Sequence, residues 1–294
     1  MEEIPKIPFV KSANKEIEFE IITLNSLFAR QDTLKTPLNK PHRLDFYQIL
    51  FITRGKGIHY LDFQKHAFQS GSILFMSKGQ VQSFDVENDK DGFLILFTED
   101  FLSKNLIHSD VLSFYRLYNY HLHLPIIQPD QVETNVFDNI VNEIYIEYNF
   151  PDHFAKEEIL RLLLKLLLLR AERIKRTLLP QEKNAEWFIQ FGIFQNRLEE
   201  HISDTRNAKD YAKMMAVSYK HLNVICKSIT RLTAKEIIDN FLVLEIKRHL
   251  AVSEISIKEL AYKLGFGEPT NFVKYFKKHT NQTPSQFRKN LTKQ

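Results

Sequence analysis

IKELAYKLGFGEPTNFVKYFKKHT, residues 257–280, has an earlier counterpart in this 294-residue chain, AKDYAKMMAVSYKHLNVICKSIT, residues 208–230. In both stretches apolar residues recur at helical spacing on either side of a short break, which is typical of two helices joined by a tight turn. The matched positions keep an offset of 49 in the first predicted helix and of 50 in the second, where the later copy has one extra residue. The sequence therefore predicts two helix-turn-helix units in tandem.

Residues that favour helix ends stand at the boundaries of these predicted helices. Ser256 and Glu259 have the spacing of a capping box, and Gly265 suits the left-handed backbone that ends a helix. The other boundaries carry similar signals, namely Asn207 with Asp210, Ser218 and Pro269. The residues between the units, 234–250, have the pattern of one continuous helix, which would fix the spacing of the two units.

The second helix of a helix-turn-helix unit lies in the major groove of DNA and packs its inner face on the first helix. Apolar spacing assigns the inner faces to Leu222, Ile225 and Cys226, and to Phe272, Tyr275 and Phe276. Cys226 is then a small core residue rather than a nucleophile. The side chains left on the outer faces are Tyr219, Lys220, His221, Asn223 and Val224, and Thr270, Asn271 and Lys274, with Lys277 and Lys278 farther along.

These outer side chains suit contacts with DNA. Asn pairs with adenine through two hydrogen bonds, Lys reaches guanine, and the Thr methyl group can touch that of thymine. Val224 could touch a thymine methyl group or contact nothing. The remaining residues suit phosphates, which position a protein without choosing a sequence. We assign these phosphate contacts to Tyr219, His221, Lys227, Lys277 and Lys278.

The charge of the chain is unevenly distributed. Residues 181–294 hold 19 basic and 12 acidic residues, whereas residues 1–180 hold 21 basic and 24 acidic ones. Residues 271–294 hold six basic residues and no acidic one. This distribution is typical of a protein in which one domain meets phosphate. A solvated charged face is the alternative interpretation.

Residues from about 18 to 125 have the pattern of strands. Short β-branched and aromatic runs, separated by turn residues, recur at roughly ten-residue spacing, which predicts a sandwich or a small barrel. The clearest runs are YQILFI (47–52), GIHYLDF (57–63), GSILFM (71–76), QSFDV (82–86) and GFLILFT (92–98). The pattern then becomes helical, with one long Leu-rich helix predicted over 154–178. We predict a β-barrel domain at 1–130, a helical dimerisation and linker region at 131–180, and a double helix-turn-helix domain at 181–294.

The composition fits a soluble cytoplasmic protein. Cys226 is the only cysteine, so no disulfide can form within the chain. The N-terminus lacks the apolar core of a signal peptide. The most apolar segment, LRLLLKLLLLR (160–170), is too short and too interrupted by charge to cross a bilayer, so we expect no membrane partner.

Residues 190–289 resemble the DNA-binding domain of the AraC-type (AraC/XylS) transcription regulators. ISIKELAYKLGFGEPTNFVKYFKKHTNQTPSQFRK (255–289) is similar to the family signature of an IAxxxGF helix, an FxxxFKK helix and a TPxxFR segment. The resemblance implies base-reading positions at Lys220, Asn223, Val224, Thr270, Asn271 and Lys274. The family usually has Gly just after each reading helix, where this chain has Arg231 and Asn281, and Arg fits a left-handed backbone less readily than Asn.

The first half resembles, more weakly, the cupin-like sensor of the same regulators. HRLDFYQILFITRGKGIHYLDF (42–63) and FQSGSILFMSKGQVQSF (68–84) carry this resemblance. It implies a multidomain α and β protein, with an N-terminal cupin-like β-barrel followed by helices and a C-terminal all-α domain of tandem helix-turn-helix units.

A metal-binding cupin needs a close His pair, a carboxylate and a further His, a pattern that His42, His59 and His66 do not form. His121 and His123 have a spacing that could serve a metal, but they fall beyond the barrel strands. We therefore expect no metal and no cofactor. The barrel is expected to hold a small-molecule pocket or to have lost its ligand.

The Leu-rich segment ILRLLLKLLLLR (159–170) is apolar on more than one face. One face can pack on the barrel while another meets a second subunit, with Leu163, Leu166, Leu167 and Leu169 as candidate contacts. A helix bundle within one chain would need no partner. We expect a homodimer.

These observations predict a sequence-specific transcription regulator rather than an enzyme. Its expected partners are double-stranded DNA, a small-molecule effector and, if the protein is an activator, RNA polymerase. One alternative is a metal-dependent cupin enzyme with a helical appendage. Another is a nucleic-acid-binding structural protein without an effector.

Overall fold

The computed structural model of the chain describes residues 6–9, 17–30, 36–85, 90–103, 117–118, 124–128, 131–151, 153–178, 185–252 and 255–291. The chain divides into two compact units, one of residues 6–182 and one that contains residues 183–294. Among the helices in these ranges, none combines the length and the apolar character that crossing a membrane requires.

Two five-stranded sheets form most of the described part of the first unit. The strands are β1 (Lys6–Ile7), β2 (Phe19–Thr23), β3 (His42–Leu44), β4 (Tyr47–Arg54), β5 (Lys56–Leu61), β6 (Gln64–Gln69), β7 (Ile73–Met76), β8 (Val81–Phe84), β9 (Asp91–Phe97) and β10 (Ile126–Ile127). The strand orders are β1-β3-β8-β5-β6 and β10-β7-β4-β9-β2. Two short helices, α1 (Leu24–Ala29) and α2 (Glu99–Ser103), follow β2 and β9. Each of the five predicted runs lies on a strand.

Strand β4 lies in the middle of its sheet and is buried on both faces, which explains its apolar run from Ile49 to Ile52. Side chains alternate across a strand, so neighbouring residues enter different cores. Ile49 and Phe51 point into a core between this sheet and two long helices. Leu50 and Ile52 point into a second core, between the two sheets.

The two long helices are α3 (Gln131–Asn149) and α4 (Lys156–Leu178). Each contributes fully buried side chains to the core on β4, among them Val141, Ile144, Leu160, Leu164 and Leu167. This packing places both helices in the same compact unit as the strands.

Helix α4 begins two residues later than predicted. Ala155 has a φ of 63°, in the left-handed region, so the backbone turns away from helical geometry just before Lys156. Phe154, which the prediction had placed in the helix, is 94% exposed in the preceding turn.

The helices described in the second unit include the four predicted for the two helix-turn-helix units and the predicted connecting helix. These helices are α5 (Ala185–His201), α6 (Ala208–Met214), α7 (Tyr219–Thr230), α8 (Ala234–Val252), α9 (Ile257–Lys263), α10 (Pro269–Thr280) and α11 (Pro284–Leu291). Helix α8 runs without interruption between the two helix-turn-helix units, as the sequence predicted.

Candidate nucleic-acid interface

Helices α6 and α7 form the first helix-turn-helix unit. The inner face of α7 consists of Leu222, Ile225 and Cys226, all fully buried, and Tyr211 of α6 is buried as well. Burial raises the pKa of the Cys226 thiol to about 12, so the thiol stays protonated at neutral pH. Cys226 is therefore a core residue, as predicted.

Helices α9 and α10 form the second unit in the same way. Phe272 and Phe276 of α10 are fully buried, and the ring of Phe272 lies 5.2 Å from that of Phe266 in the preceding turn. Tyr275 was predicted on the inner face but is only partly buried. Its hydroxyl donates a hydrogen bond to Oδ1 of Asp239 on α8, at 2.8 Å.

The predicted helix caps are confirmed except for the role of Asp210. Ser218 accepts a hydrogen bond from a backbone N–H in the first turn of α7 at 3.1 Å. Ser256 and Glu259 make both bonds of the capping box. Asn207 caps α6, whereas Asp210 takes no part in that cap and accepts a bond from a nearby threonine hydroxyl.

The second helices of the two units end in the same way. Thr230 and Thr280 each donate a hydroxyl hydrogen bond to the carbonyl four residues earlier, at 2.8 Å in both cases. The next residues, Arg231 and Asn281, have φ values of 65° and 61°, in the left-handed region. Arg231 thus takes the same conformation as Asn281, although a side chain of its size fits it less readily.

Helix α8 is anchored at its start by a second capping box. The Thr233 N–H donates to Oε2 of Glu236 at 2.7 Å, and the Glu236 N–H donates to the Thr233 hydroxyl oxygen at 3.2 Å. The bonds from Thr233 lower the pKa of the Glu236 carboxyl group. A capped, continuous helix between the units resists bending and limits how far they can move apart.

In the compact unit of residues 6–182, buried polar side chains lie beside the core between the two sheets. Nε2 of His59 lies 3.2 Å from Oε1 of Gln82, and Nε2 of Gln82 donates to Oε1 of Gln48 at 2.7 Å. Burial lowers the pKa of His59 to about 3, so its ring is neutral at physiological pH.

His42 and His66 are also buried, and burial lowers the pKa of each. Within the part of the chain that the structure describes, no three His, Cys, Asp or Glu side chains are grouped so that they could hold a metal ion. His121 and His123 lie outside the described residues.

Comparison with known proteins agrees with both parts of this architecture. A family model described as an AraC-like ligand binding domain matches residues 28–164, and one described as a helix-turn-helix domain matches residues 211–290. This chain belongs to the AraC-type family of transcription regulators. The predicted family and fold class are therefore confirmed, as is the function of a regulator with a DNA-binding and a ligand-binding domain.

This AraC-type chain is similar to transcriptional activators of Escherichia coli and to a solved structure from Vibrio cholerae. The HTH-type transcriptional activator RhaS of Escherichia coli O1:K1 / APEC is 24% identical over 258 residues, which cover 84% of this chain and 86% of that protein. RhaS of Escherichia coli O81 (strain ED1a) is 25% identical over 259 residues, with coverage of 84% and 86%. The solved structure of ToxT from Vibrio cholerae O395 is similar over 94% of this chain and 98% of its own, at 16% identity and a TM-score of 0.44.

The predicted DNA contacts of this AraC-type regulator are placed differently in its two units. On α10 all five are exposed and spaced as one stripe along the helix: Thr270, Asn271, Lys274, Lys277 and Lys278. On α7 four of the six are exposed: Tyr219, Lys220, Val224 and Lys227.

The other two predicted contacts on α7 have partners within the chain. Oδ1 of Asn223 accepts a hydrogen bond from the Ala234 N–H at 3.0 Å, and its Nδ2 donates to the Tyr219 carbonyl at 3.2 Å. Nε2 of His221 lies 3.2 Å from Oε1 of Gln190 on α5. A DNA contact by either side chain requires that it exchange these partners.

The candidate dimer contacts on α4 divide between core and surface. Leu167 is fully buried in the core of its own unit and Leu163 is partly buried against it, so neither offers a free apolar face. Leu166 and Leu169 are 40% and 42% exposed, and Leu162, which was not among the candidates, is 55% exposed.

One residue that the sequence did not single out is Arg206, in the segment between α5 and α6. Its guanidinium donates to two backbone carbonyls in the turn of the second unit. Because a backbone carbonyl is available at every position, such a partner leaves no pattern of side chains in the sequence.

Proposed function

We propose that this AraC-type regulator reads two successive major grooves of duplex DNA, with α7 in one and α10 in the next. The base contacts are Lys220, Asn223, Val224, Thr270, Asn271 and Lys274. The phosphate contacts are Tyr219, His221, Lys227, Lys277 and Lys278. The observation that carries this proposal is the exposed stripe on α10, which holds three lysines and no acidic residue between 269 and 280.

The charge of this stripe supports a nucleic-acid partner. An exposed helix stabilised by its own side chains normally mixes both signs, because pairs of opposite charge at i,i+4 support the helix. Lys274 and Lys278 stand at that spacing, so in solvent alone they repel each other. A phosphate backbone facing the stripe turns this repulsion into attraction.

In the first unit, we propose that Asn223 has a structural partner that DNA must displace. Its carboxamide caps the start of α8 in the free protein. Lys220 and Val224 are free of such an exchange and carry the larger share of base recognition by α7.

Selection of bound duplexes from a randomised library, followed by footprinting of the full-length protein, tests this proposal. Two sequence motifs about 34 Å apart along one face of the duplex are expected. The Asn271→Ala, Lys274→Ala double variant should lose the preference for one motif and keep the other. Retention of both preferences, or protection of a single groove by the wild type, would contradict the proposal.

We propose that a small molecule controls this activity by binding between the two sheets, beside His59, Gln82 and Gln48. The supporting observation is that these uncharged donors and acceptors are buried beside the apolar side chains between the sheets, where they can orient a polar ligand. Thermal unfolding of the wild type in the presence of a panel of small polar molecules should identify a stabilising compound. Gln82→Leu should abolish that stabilisation, and an undiminished effect in this variant would place the effector elsewhere.

We further propose that the protein is a homodimer, joined through the exposed face of α4 at Leu162, Leu166 and Leu169. Three large apolar side chains on one helix are best covered by a matching surface, and a second copy offers the same one. Regulation, rather than catalysis, is the proposed activity. Because the relatives above are named transcriptional activators, we propose that the protein activates transcription in the cytoplasm through contact with RNA polymerase.

A further inference from the structure

The turn of the second helix-turn-helix unit is held by a residue of the first. Arg206 precedes α6, and its Nη2 donates to the carbonyl oxygens of Leu264 and Gly265 at 3.0 Å and 2.5 Å. The guanidinium also stacks on Phe266, with Cζ 3.7 Å from the ring centroid. Three consecutive residues of the second turn are therefore fixed by one side chain.

The backbones themselves meet at this point. A Cβ added to Gly265 would lie 1.9 Å from the carbonyl oxygen of Ser203, far inside van der Waals contact. Gly265 therefore serves two purposes, since it supplies the left-handed turn with a φ of 72° and also permits this close approach.

The segment that carries Arg206 is fixed to the first unit. The hydroxyl of Tyr211, a buried residue of α6, donates to the Thr205 carbonyl at 2.9 Å. The Thr205 hydroxyl donates to Oδ2 of Asp210 at 2.5 Å and accepts from the Asn207 N–H at 3.1 Å. Movement of Arg206 therefore requires movement of α6.

On the other side, Phe266 belongs to the core of the second unit. Its ring centroid lies 5.5 Å from that of Tyr275, whose hydroxyl is bound to Asp239 on α8. Oδ1 of Asp239 also forms an ion pair with Nζ of Lys235, at 2.6 Å. The contact thus continues from the first unit through α10 to the connecting helix.

From these contacts we propose that Arg206 is a positioning residue that couples the two DNA-reading units and sets the angle between α7 and α10. This inference rests on the proposed function, in which both helices enter DNA together. Hydrogen bonds such as Asn223–Ala234 and Tyr275–Asp239 join each unit to the connecting helix α8. The Arg206 contact joins the two units to each other directly and so restricts the angle between them.

Pre-formed geometry favours binding of both units over binding of one. When the units are held at the angle that two successive grooves require, the second unit binds without a further loss of orientational freedom. When the contact is absent, each unit still binds its own motif, but the pair loses the advantage of linkage. Arg206 should therefore contribute to binding of paired motifs and to discrimination of their spacing.

The test uses the full-length protein and three duplexes derived from the sequence that the wild type selects. One duplex carries both motifs, one carries a single motif, and one carries both with their spacing changed by two base pairs. Arg206→Ala should bind the first about tenfold more weakly, bind the second like the wild type, and discriminate less against the third. Arg197→Ala is the matched control, since it removes the same charge from an exposed ion pair on α5.

A phosphate contact by Arg206 would give a different result. Loss of such a contact weakens binding to every duplex. It also lowers the magnitude of the slope of log affinity against log salt concentration by about one, since about one counterion fewer is released. Arg206→Lys separates the two roles further, because lysine keeps the charge but cannot donate as a planar fork while stacking on Phe266. We expect Arg206→Lys to resemble Arg206→Ala on the paired duplex, and restoration of wild-type binding by lysine would overturn the proposal.

A second measurement needs no DNA. Spin labels on Ser228→Cys and Lys278→Cys occupy exposed, equivalent positions of the two units, and buried Cys226 stays unlabelled. The wild type should give one narrow distance distribution and Arg206→Ala a broader one. An unchanged distribution would refute the coupling. Failure of the wild type to select paired motifs would instead refute the proposed function, and the label distances would still decide the coupling.

Discussion

Ala216 and Gly265 occupy equivalent positions in the turns of the two units, so exchanging their side chains makes a matched experiment. Both residues have a positive φ, 53° for Ala216 and 72° for Gly265. For a residue with a Cβ, this left-handed conformation lowers the free energy of unfolding by about 1–2 kcal/mol. Glycine in turn loses about 0.5–1 kcal/mol more backbone entropy on folding. Ala216→Gly should therefore stabilise the compact unit of residues 183–294 by about 0.5–1 kcal/mol, since Ala216 is exposed.

The reverse change should cost much more than this gain. Gly265→Ala adds the same conformational strain, and its new Cβ would also lie 1.9 Å from the Ser203 carbonyl oxygen. That clash forces the two backbone segments apart, with a cost comparable to overpacking a core, about 1–3 kcal/mol. We expect a total loss of about 2–4 kcal/mol.

Urea unfolding followed by tryptophan fluorescence measures both changes. Trp187 is the only tryptophan of the chain and lies on α5, within the same compact unit as the two turns. Its signal therefore reports that unit, and the midpoint gives the change in free energy if the slope stays constant. Equal and opposite effects of the two substitutions would mean that only conformational strain matters and that the close approach to Ser203 carries no energy. A loss of stability in Ala216→Gly would refute the strain argument.

Three further predictions follow from the site and the sensor. Lys274→Ala should cost about 1–3 kcal/mol on the selected duplex and relax the preference at one base pair, whereas Lys277→Ala should weaken all duplexes alike; the reverse pattern would exchange their roles. The unfolding free energy of the compact unit of residues 6–182 should fall as pH drops from 6.5 towards 3. In this range His59 binds a proton in the unfolded chain but not in the folded one, because burial lowers its pKa to about 3. The slope from His59 approaches about 1.4 kcal/mol per pH unit and should disappear in His59→Gln, so an unchanged pH profile in that variant would contradict the assigned pKa. Leu166→Glu with Leu169→Glu should give a folded monomer by sedimentation, and a wild type that is already monomeric at micromolar concentration would refute the proposed dimer.

The sequence was most informative where the interactions are local. The helix caps at Ser218 and Ser256 join residues only three apart, and the repeat of 49 or 50 residues follows from two similar patterns of apolar spacing. The inner faces of α7 and α10 could be predicted for the same reason, since a helix places residues three and four apart on one side. The strand runs were equally visible, because β4 and its neighbours are apolar over several successive residues.

Exposure of a particular side chain, in contrast, depended on what the rest of the chain packs against it. Leu166 and Leu167 are neighbours of the same type, yet one is 40% exposed and the other fully buried, because the sheet lies on only one side of α4. Asn223 has the spacing of an outward residue, but the start of α8 lies close enough to use its carboxamide.

The coupling of the two units was decided by tertiary structure alone. Arg206 and the carbonyl of Gly265 are 59 residues apart in the chain, and the acceptor is a backbone atom that any residue would supply. The close approach of Ser203 to Gly265 likewise exists only after both units have folded and docked. The sequence by itself determined that two helix-turn-helix units are present and which residues form the inner and outer faces of their second helices, because those properties are set by short-range periodicity. Their relative orientation depends on contacts between distant segments, whose partners become defined only when the chain is folded.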